Sequence, residues 1–303
     1  MSAMVRSLSA GTTAWSWGGM RFVVGVGVAA VGIILLMADL AQAVAGSAVL
    51  AAALSGGMVA GAATALGALP VLFMRRGVSA RAEDAMLGFG AGVMLAASAF
   101  SLVIPAIEAG TGIVGSRALA SVLAAVSLAA GVAAMFAVEK VVPHVHSDGA
   151  ATGGLGVRAV WLMVFAILIH NFPEGLAIGA AFSGTEPAQG WPVAIAIAIQ
   201  DLPEGLVVAL ALRSVGHGAG KAAGIGALTG LAEPIGAVAS AVVVSAVPAL
   251  YPMALAAAAG AMLFVVSHEI IPGTHRRGHE SAATMGVALG FAVMMVLDNA
   301  FGG

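Results

Sequence analysis

The stretch RAVWLMVFAILIHNFPEGLAIGAAF, residues 158–182, sets the fold class because it reads as a helix built for lipid. It exceeds the roughly 20 apolar residues that carry a helix across a bilayer core, and its apolar character is continuous rather than alternating, which argues against a strand of a membrane barrel. Yet it holds His170-Asn171-Phe172-Pro173-Glu174-Gly175 near its middle. The apolar run at 191–212 carries Gln200-Asp201-Leu202-Pro203-Glu204-Gly205 at the same depth. The two hexapeptides align without a gap, so His170 matches Gln200, Asn171 matches Asp201, and Pro-Glu-Gly matches Pro-Glu-Gly.

Working outward, the whole 303-residue chain shares this character. Hydrophobic residues make up 61% and charged residues 9%, where a soluble domain needs roughly a quarter charged to hold its water. Such a chain, with a mean hydropathy of +1.07, is an all-α polytopic membrane protein whose first partner is the lipid bilayer. A formal net charge of −2 offers no basic face and so excludes a nucleic-acid partner. The absence of cysteine removes disulfides, thiolate metal ligands and thiol chemistry together.

Nine spans are expected, at about 22–45, 48–73, 84–107, 118–139, 158–182, 191–212, 222–247, 252–272 and 282–300. The first follows Arg6 and Arg21 as a signal peptide would, but its core is long and lacks a convincing cleavage site, so it is read as a retained helix. The division is therefore an N-terminal segment, 1–46, and an eight-helix core, 47–303, with a glycine-rich polar loop at 140–157 that contains His144, His146 and Asp148. With the N-terminus in the cytoplasm, Arg6, Arg21, Arg75, Arg76, Arg81, Lys140, Arg158, Arg213, Lys221, Arg276 and Arg277 all fall inside and Arg117 alone falls outside. That bias obeys the positive-inside rule and puts the C-terminus outside. No Walker-type phosphate loop is present, so the chain encodes no ATP-driven pump.

Glu233-Pro234 in the seventh span brings the carboxylates deep in apolar helices to four, Glu174, Asp201, Glu204 and Glu233, with no Lys or Arg near the middle of any span. An ionised carboxylate in lipid costs several kcal/mol, by order of magnitude, unless it is paired. Either these acids are largely protonated or cations from solution balance them, and two dications would neutralise four carboxylates. A single acid is readily explained as a hydrogen bond between helices; this constellation is not. At 100° per residue Glu174 lies between His170 and Asn171 on the helix wheel, and Glu204 lies between Gln200 and Asp201. Two such helices face to face offer two neighbouring cation sites that share both glutamates. One has His170 and Gln200, and the other has Asn171 and Asp201, with Glu233 placed to complete it. Pro173, Pro203 and Pro234 each release a backbone carbonyl beside a glutamate, at Ile169, Ile199 and Gly230. Loosened backbone at membrane depth marks the substrate site of a transporter. Imidazole with carboxylates suits Zn²⁺, and also Cd²⁺, Fe²⁺ or Mn²⁺, rather than Mg²⁺ or Ca²⁺.

At these residues the chain resembles the ZIP (Zrt/Irt-like) family of divalent metal transporters. His170-Asn-Phe-Pro-Glu-Gly175 and Asp201-Leu-Pro-Glu-Gly205 are similar to the signatures of the family's fourth and fifth core helices, and Ser267-His268-Glu269-Ile-Ile-Pro272 is similar to a motif in its seventh. The resemblance covers about 48–300, eight core helices, so the first span is an addition; the long His-rich loop of many members is missing. It implies a bacterial member in the plasma (inner) membrane and uptake toward the cytoplasm by elevator-like alternating access. It further implies a homodimer in which a transport bundle moves against a scaffold. No catalytic cofactor is implied; two Zn²⁺ (or Cd²⁺) per protomer are bound as substrate. Carried over by position, the first metal would meet His170, Glu174, Gln200 and Glu204, and the second Asn171, Glu174, Asp201, Glu204 and Glu233. Met94 matches a position that adds a thioether to the first site. His268, Glu269 and His279, with His275, His144 and His146, would form a cytoplasmic exit relay. Asp39, Glu83, Asp84, Glu139 and Asp298 lie near helix ends, where interfacial solvation accounts for them.

Two other classes compete. An intramembrane zinc metallohydrolase needs an open zinc site with a base, commonly His-Glu-x-x-His, and here His170 has no second His nearby in the spans. A proton-coupled carrier of an organic solute would use the four acids as a relay, but the single His and the tandem repeat argue against it.

Overall fold

The computed structural model describes residues 42–74, 77–141, 157–184, 190–275 and 278–301. The chain divides into Met1–Ser47 and Ala48–Gly303. Of the first unit, residues 42–46 are helical; the rest of the expected first span lies outside the described residues, as does most of the 140–157 loop with His144 and His146.

The described residues of the second unit are helices joined by turns and short irregular segments. Its described residues contain eight helices long and apolar enough to cross a membrane. We label them α1 (Ala48–Leu72), α2 (Ala80–Val114), α3 (Arg117–Val141), α4 (Val157–Phe182), α5 (Gly190–Ser214), α6 (Ala219–Ala246), α7 (Pro248–His275) and α8 (Glu280–Phe301). In lipid a helix satisfies its own backbone, which is why continuous apolar runs fold this way. The eight runs expected of the core are all helical, and α2 is longer than its apolar run suggests. It starts at Ala80, where the Ser79 hydroxyl accepts from the Ala82 amide, and it ends at Gly115, whose left-handed φ of 71° lets its amide return to the Thr111 carbonyl.

Three helices are irregular. In α2 the seven residues Ala97–Val103 form a π-helical segment, and in α7 the five residues Val266–Ile270 do the same. Pro105 and Pro272 each stand two residues past the end of the segment. A π segment widens the helix locally and turns a set of side chains, here Ser98 and Ser101 or His268 and Glu269, out of register with the rest. In α6 the helix stops at Thr229 and resumes at Ala232, so Glu233 falls in the first turn of the second half. The carbonyl release expected from Pro234 thus takes the form of a break at Gly230-Leu231. Pro173 and Pro203, by contrast, leave α4 and α5 helical through their motifs.

Packing sorts the helices into two groups. The first holds α1, α4, α5 and α6, with α1 against α5 and α6, and α4 against α5 and α6. In the second, α2 packs on α8, α3 packs on α7, and the end of α2 packs on α3. The groups meet chiefly along two pairs, α2 with α5 and α4 with α7. Where helices touch, small residues let backbones come together, as membrane helices without a hydrophobic drive between them require. Along α2 and α8 the contact is reciprocal. Gly88 and Gly92 lie on the Ala283 and Val287 carbonyls, and Gly286 and Gly290 lie on those of Ala85 and Phe89. The opposite faces of α3 and α8 expose Leu119, Val122, Val126, Met285, Leu289 and Val296, which suits acyl chains.

Because a Cβ at Gly290 would overlap the Phe89 backbone, Gly290→Leu is expected to destabilise the protein by about 1–3 kcal/mol, the usual range for overpacking. Gly112→Leu, where nothing stands within 4 Å, should be neutral. Thermal unfolding of both variants in one detergent checks the difference; equal melting temperatures would contradict the packing described.

Candidate metal centre

Both hexapeptides turn their polar side chains inward, while Phe172 and Leu202 face outward. On α4, His170, Asn171 and Glu174 are 7%, 0% and 1% exposed; on α5, Gln200 and Asp201 are 2% and 0% exposed, and Glu204 is half-buried. One oxygen from each of Glu174, Asp201 and Glu204 lies within 4.8 Å of the other two. Three carboxylates this close must share protons or meet a cation, since like charges at that separation repel strongly. Glu233, also fully buried, comes from the break in α6. Its place in a first helical turn lets the free amides and the helix dipole support its charge.

The glycines of the motifs set these distances. Gly175 lies against the Glu233 carbonyl and Gly205 against the Thr64 carbonyl, so close that a methyl group at either position would overlap backbone. Pro-Glu-Gly thus delivers a carboxylate and, one residue on, a flat surface on which the neighbouring helix rests.

Hydrogen bonds orient the side chains. Gln200 Nε2 donates to Glu174 Oε1 at 2.5 Å. Asn171 Nδ2 donates to Glu233 Oε1 at 3.0 Å and to the Thr229 carbonyl at 3.3 Å. The Thr64 hydroxyl donates to the same Glu233 Oε1 at 2.9 Å. What remains is a set of buried oxygens without a donor: Asn171 Oδ1, Glu174 Oε2, Gln200 Oε1, both oxygens of Asp201, Glu204 Oε1 and Glu233 Oε2. Buried polar atoms are nearly always satisfied, so several orphans in one place, all acceptors, call for shared protons or a cation.

His170 Nε2 is 2.9 Å from Glu269 Oε1 on α7, so the imidazole bridges the two helix groups. Met94, 2% exposed, sits one turn beyond Gly90, which faces Gln200 at 3.8 Å from a Cβ built there to the Gln200 Cβ. Met94 therefore shares the helix face that looks at the first site.

The residues of the expected exit relay go to three places. Glu269 is against His170 at the central site. His268 Nε2 is 2.8 Å from Glu139 and stacks on Phe264 with ring centroids 4.9 Å apart. His279 Nδ1 is 2.9 Å from Asp84 Oδ2, and His275 Nδ1 meets the Ile271 carbonyl at 2.8 Å. The interfacial reading of Asp84 is corrected: it is 0% exposed, buried where α2, α8 and the loop before α8 converge. Asp298 likewise accepts from Ser101 in the π segment of α2 at 2.5 Å rather than standing in solvent alone. Thr64 and Thr229 were not singled out from the sequence; a hydroxyl residue within an apolar run is the signal that would have found Thr64.

A family model described as ZIP zinc transporter matches residues 145–298. The chain is 47% identical to the zinc transporter ZIPB of Bordetella bronchiseptica across 82% of this chain and 81% of that protein. It is 43% identical to the zinc transporter GufA of Myxococcus xanthus, across 83% of this chain and 99% of the relative. The human zinc transporter ZIP11 is 31% identical across 79% of this chain and 94% of its own length. These are transporters, not enzymes, which sets the metallohydrolase reading aside. With eight spans, paired Pro-Glu-Gly motifs at one depth and this level of identity along most of its length, the chain belongs to the ZIP zinc transporter family.

Proposed function

We propose that the protein carries divalent transition metal, Zn²⁺ foremost, into the cytoplasm through two adjacent sites shared by α4, α5 and α6. The observation that carries this reading is the cluster of buried, donorless oxygens around Glu174, Asp201 and Glu204. Four carboxylates in a dry site hold a formal charge of −4, and two dications cancel it. The first ion would take Glu174, Gln200 and Glu204, with His170 and Met94 within reach; the second would take Asn171, Glu174, Asp201, Glu204 and Glu233. The first donor set contains the softer atoms, nitrogen and sulfur, and so accommodates Cd²⁺ as well. The second is all oxygen.

For transport the site must open to each side in turn without ATP. The division into two helix groups, which meet only along α2–α5 and α4–α7 among the larger contacts, supplies a plane on which α1, α4, α5 and α6 could shift as a body. A homodimer would anchor the other group. The His170–Glu269 contact crosses that plane, and His170 must leave it to ligate through Nε2.

Ala in place of Glu174 or Glu204, the shared ligands, should abolish both metals and all flux. His170→Ala should nearly eliminate zinc flux, while Asp201→Asn or Glu233→Gln should slow it and spare some. Elemental analysis and zinc uptake into proteoliposomes test this; normal flux in His170→Ala with none in Glu233→Gln would reverse the roles of the sites.

Ligands bind metal deprotonated, so protons compete for the carboxylates and for His170. Uptake should therefore fall as pH drops from neutral to mildly acid, and flux that rises on acidification would contradict the site. For orientation, a tag on Ser2 should be reachable only from the cytoplasm and one after Gly303 only from outside.

A further inference from the structure

We infer that Thr64 on α1 is a positioning residue for the second metal, holding Glu233 so that a single carboxylate oxygen faces the ion. The inference rests on the proposed second site and names a residue that no ligand set includes.

Two donors converge on one atom. The Thr64 hydroxyl and Asn171 Nδ2 both donate to Glu233 Oε1, at 2.9 and 3.0 Å, and leave Glu233 Oε2 without a partner. A hydroxyl has one proton to give. The alternative acceptor for Thr64, the Ala60 carbonyl at 3.5 Å, is the weaker of the two, so that proton points at Glu233. Thr64 is 0% exposed, so the bond lies out of reach of bulk solvent.

Asn171 is oriented by the same arrangement. Its Nδ2 lies between two acceptors, Glu233 Oε1 and the Thr229 carbonyl, so a flipped amide would set oxygen against oxygen. Asn171 Oδ1 is thereby left without a donor, as is Glu233 Oε2, so the network ends in two unpartnered acceptors. Thr64 also has a fixed base, because its own carbonyl lies against Gly205, one residue after the shared ligand Glu204. The hydroxyl is thus referenced to the α5 motif and acts on the carboxylate from α6. Partners that orient metal ligands typically change affinity by about 10–100-fold when removed. Asn171 still holds Glu233 in a Thr64 variant, so the lower end of that range applies.

The test uses the purified full chain titrated with zinc. Thr64→Val keeps the shape and removes the hydroxyl; Thr64→Ser keeps the hydroxyl. Thr64→Val should bind the second zinc about tenfold more weakly with the first little changed, and Thr64→Ser should stay within about twofold of the parent. Glu233→Gln, run alongside, should lose the second zinc. Second-site affinity unchanged in Thr64→Val overturns the inference. So does equal impairment in Thr64→Ser, or loss of both metals together, because either assigns Thr64 to packing. Full retention of the second zinc in Glu233→Gln overturns the second site itself, and the role of Thr64 with it.

Discussion

Four carboxylates at the depth of the hydrocarbon core, with no Lys or Arg in the middle of any span, impose when ionised a charge that no such side chain balances. The rest of the architecture is arranged around that imbalance. Amides rather than cations sit beside the acids. Gln200 and Asn171 each spend their NH₂ group on a glutamate and present a bare oxygen, which adds to the negative potential instead of relieving it. A structural ion pair would have been the less costly way to bury acids if stability were the only requirement. An unbalanced site whose missing charge comes from solution is what a carrier needs, because the complement must be able to leave.

The same motif solves a packing problem. Membrane helices gain little from burying apolar side chains against one another, so close backbone approach has to hold them. In each repeat the residue after the shared glutamate is the glycine on which the next helix rests, Gly175 under Glu233 and Gly205 under Thr64. Ligand geometry and helix spacing are therefore fixed by adjacent residues. A change of spacing between α4 and α6 would move Glu233 relative to Glu174 by the same amount. The same adjacency on α4 and α5 accompanies the three carboxylates whose oxygens lie within 4.8 Å of one another.

Much of this was legible in the sequence, and the parts that were not share a cause. Apolar runs gave the eight helices of the core, since hydropathy is a local property. The angular placement of Glu174 between His170 and Asn171 followed from helix geometry, and both flanks are indeed buried with it. Pro234 announced the disturbance in α6, though as a full break. Partners from other helices could not be read. Glu269 and His268 are neighbours in sequence, yet the π segment of α7 sends one to His170 and the other to Glu139. A wheel of 3.6 residues per turn does not describe a π turn, so their grouping as one relay was beyond a helical projection. Asp84 shows the converse. Its position near a helix end suggested solvent, but the reciprocal glycine contact of α2 with α8 draws the ends of these helices together and buries it.

The contact between His170 and Glu269 connects these themes. His170 is the only nitrogen ligand proposed at the centre, and its Nε2 is engaged across the boundary between helix groups. A cation that recruits this nitrogen therefore breaks one of the polar links across the boundary while it cancels the charge of the shared glutamates. On the proposed function, loading the ion and loosening this contact would be one event. Glu269 itself sits on α7, in the other helix group, while the neighbouring His268 is held by Glu139. Metal binding at His170, as proposed, therefore competes with a contact that ties the two helix groups together.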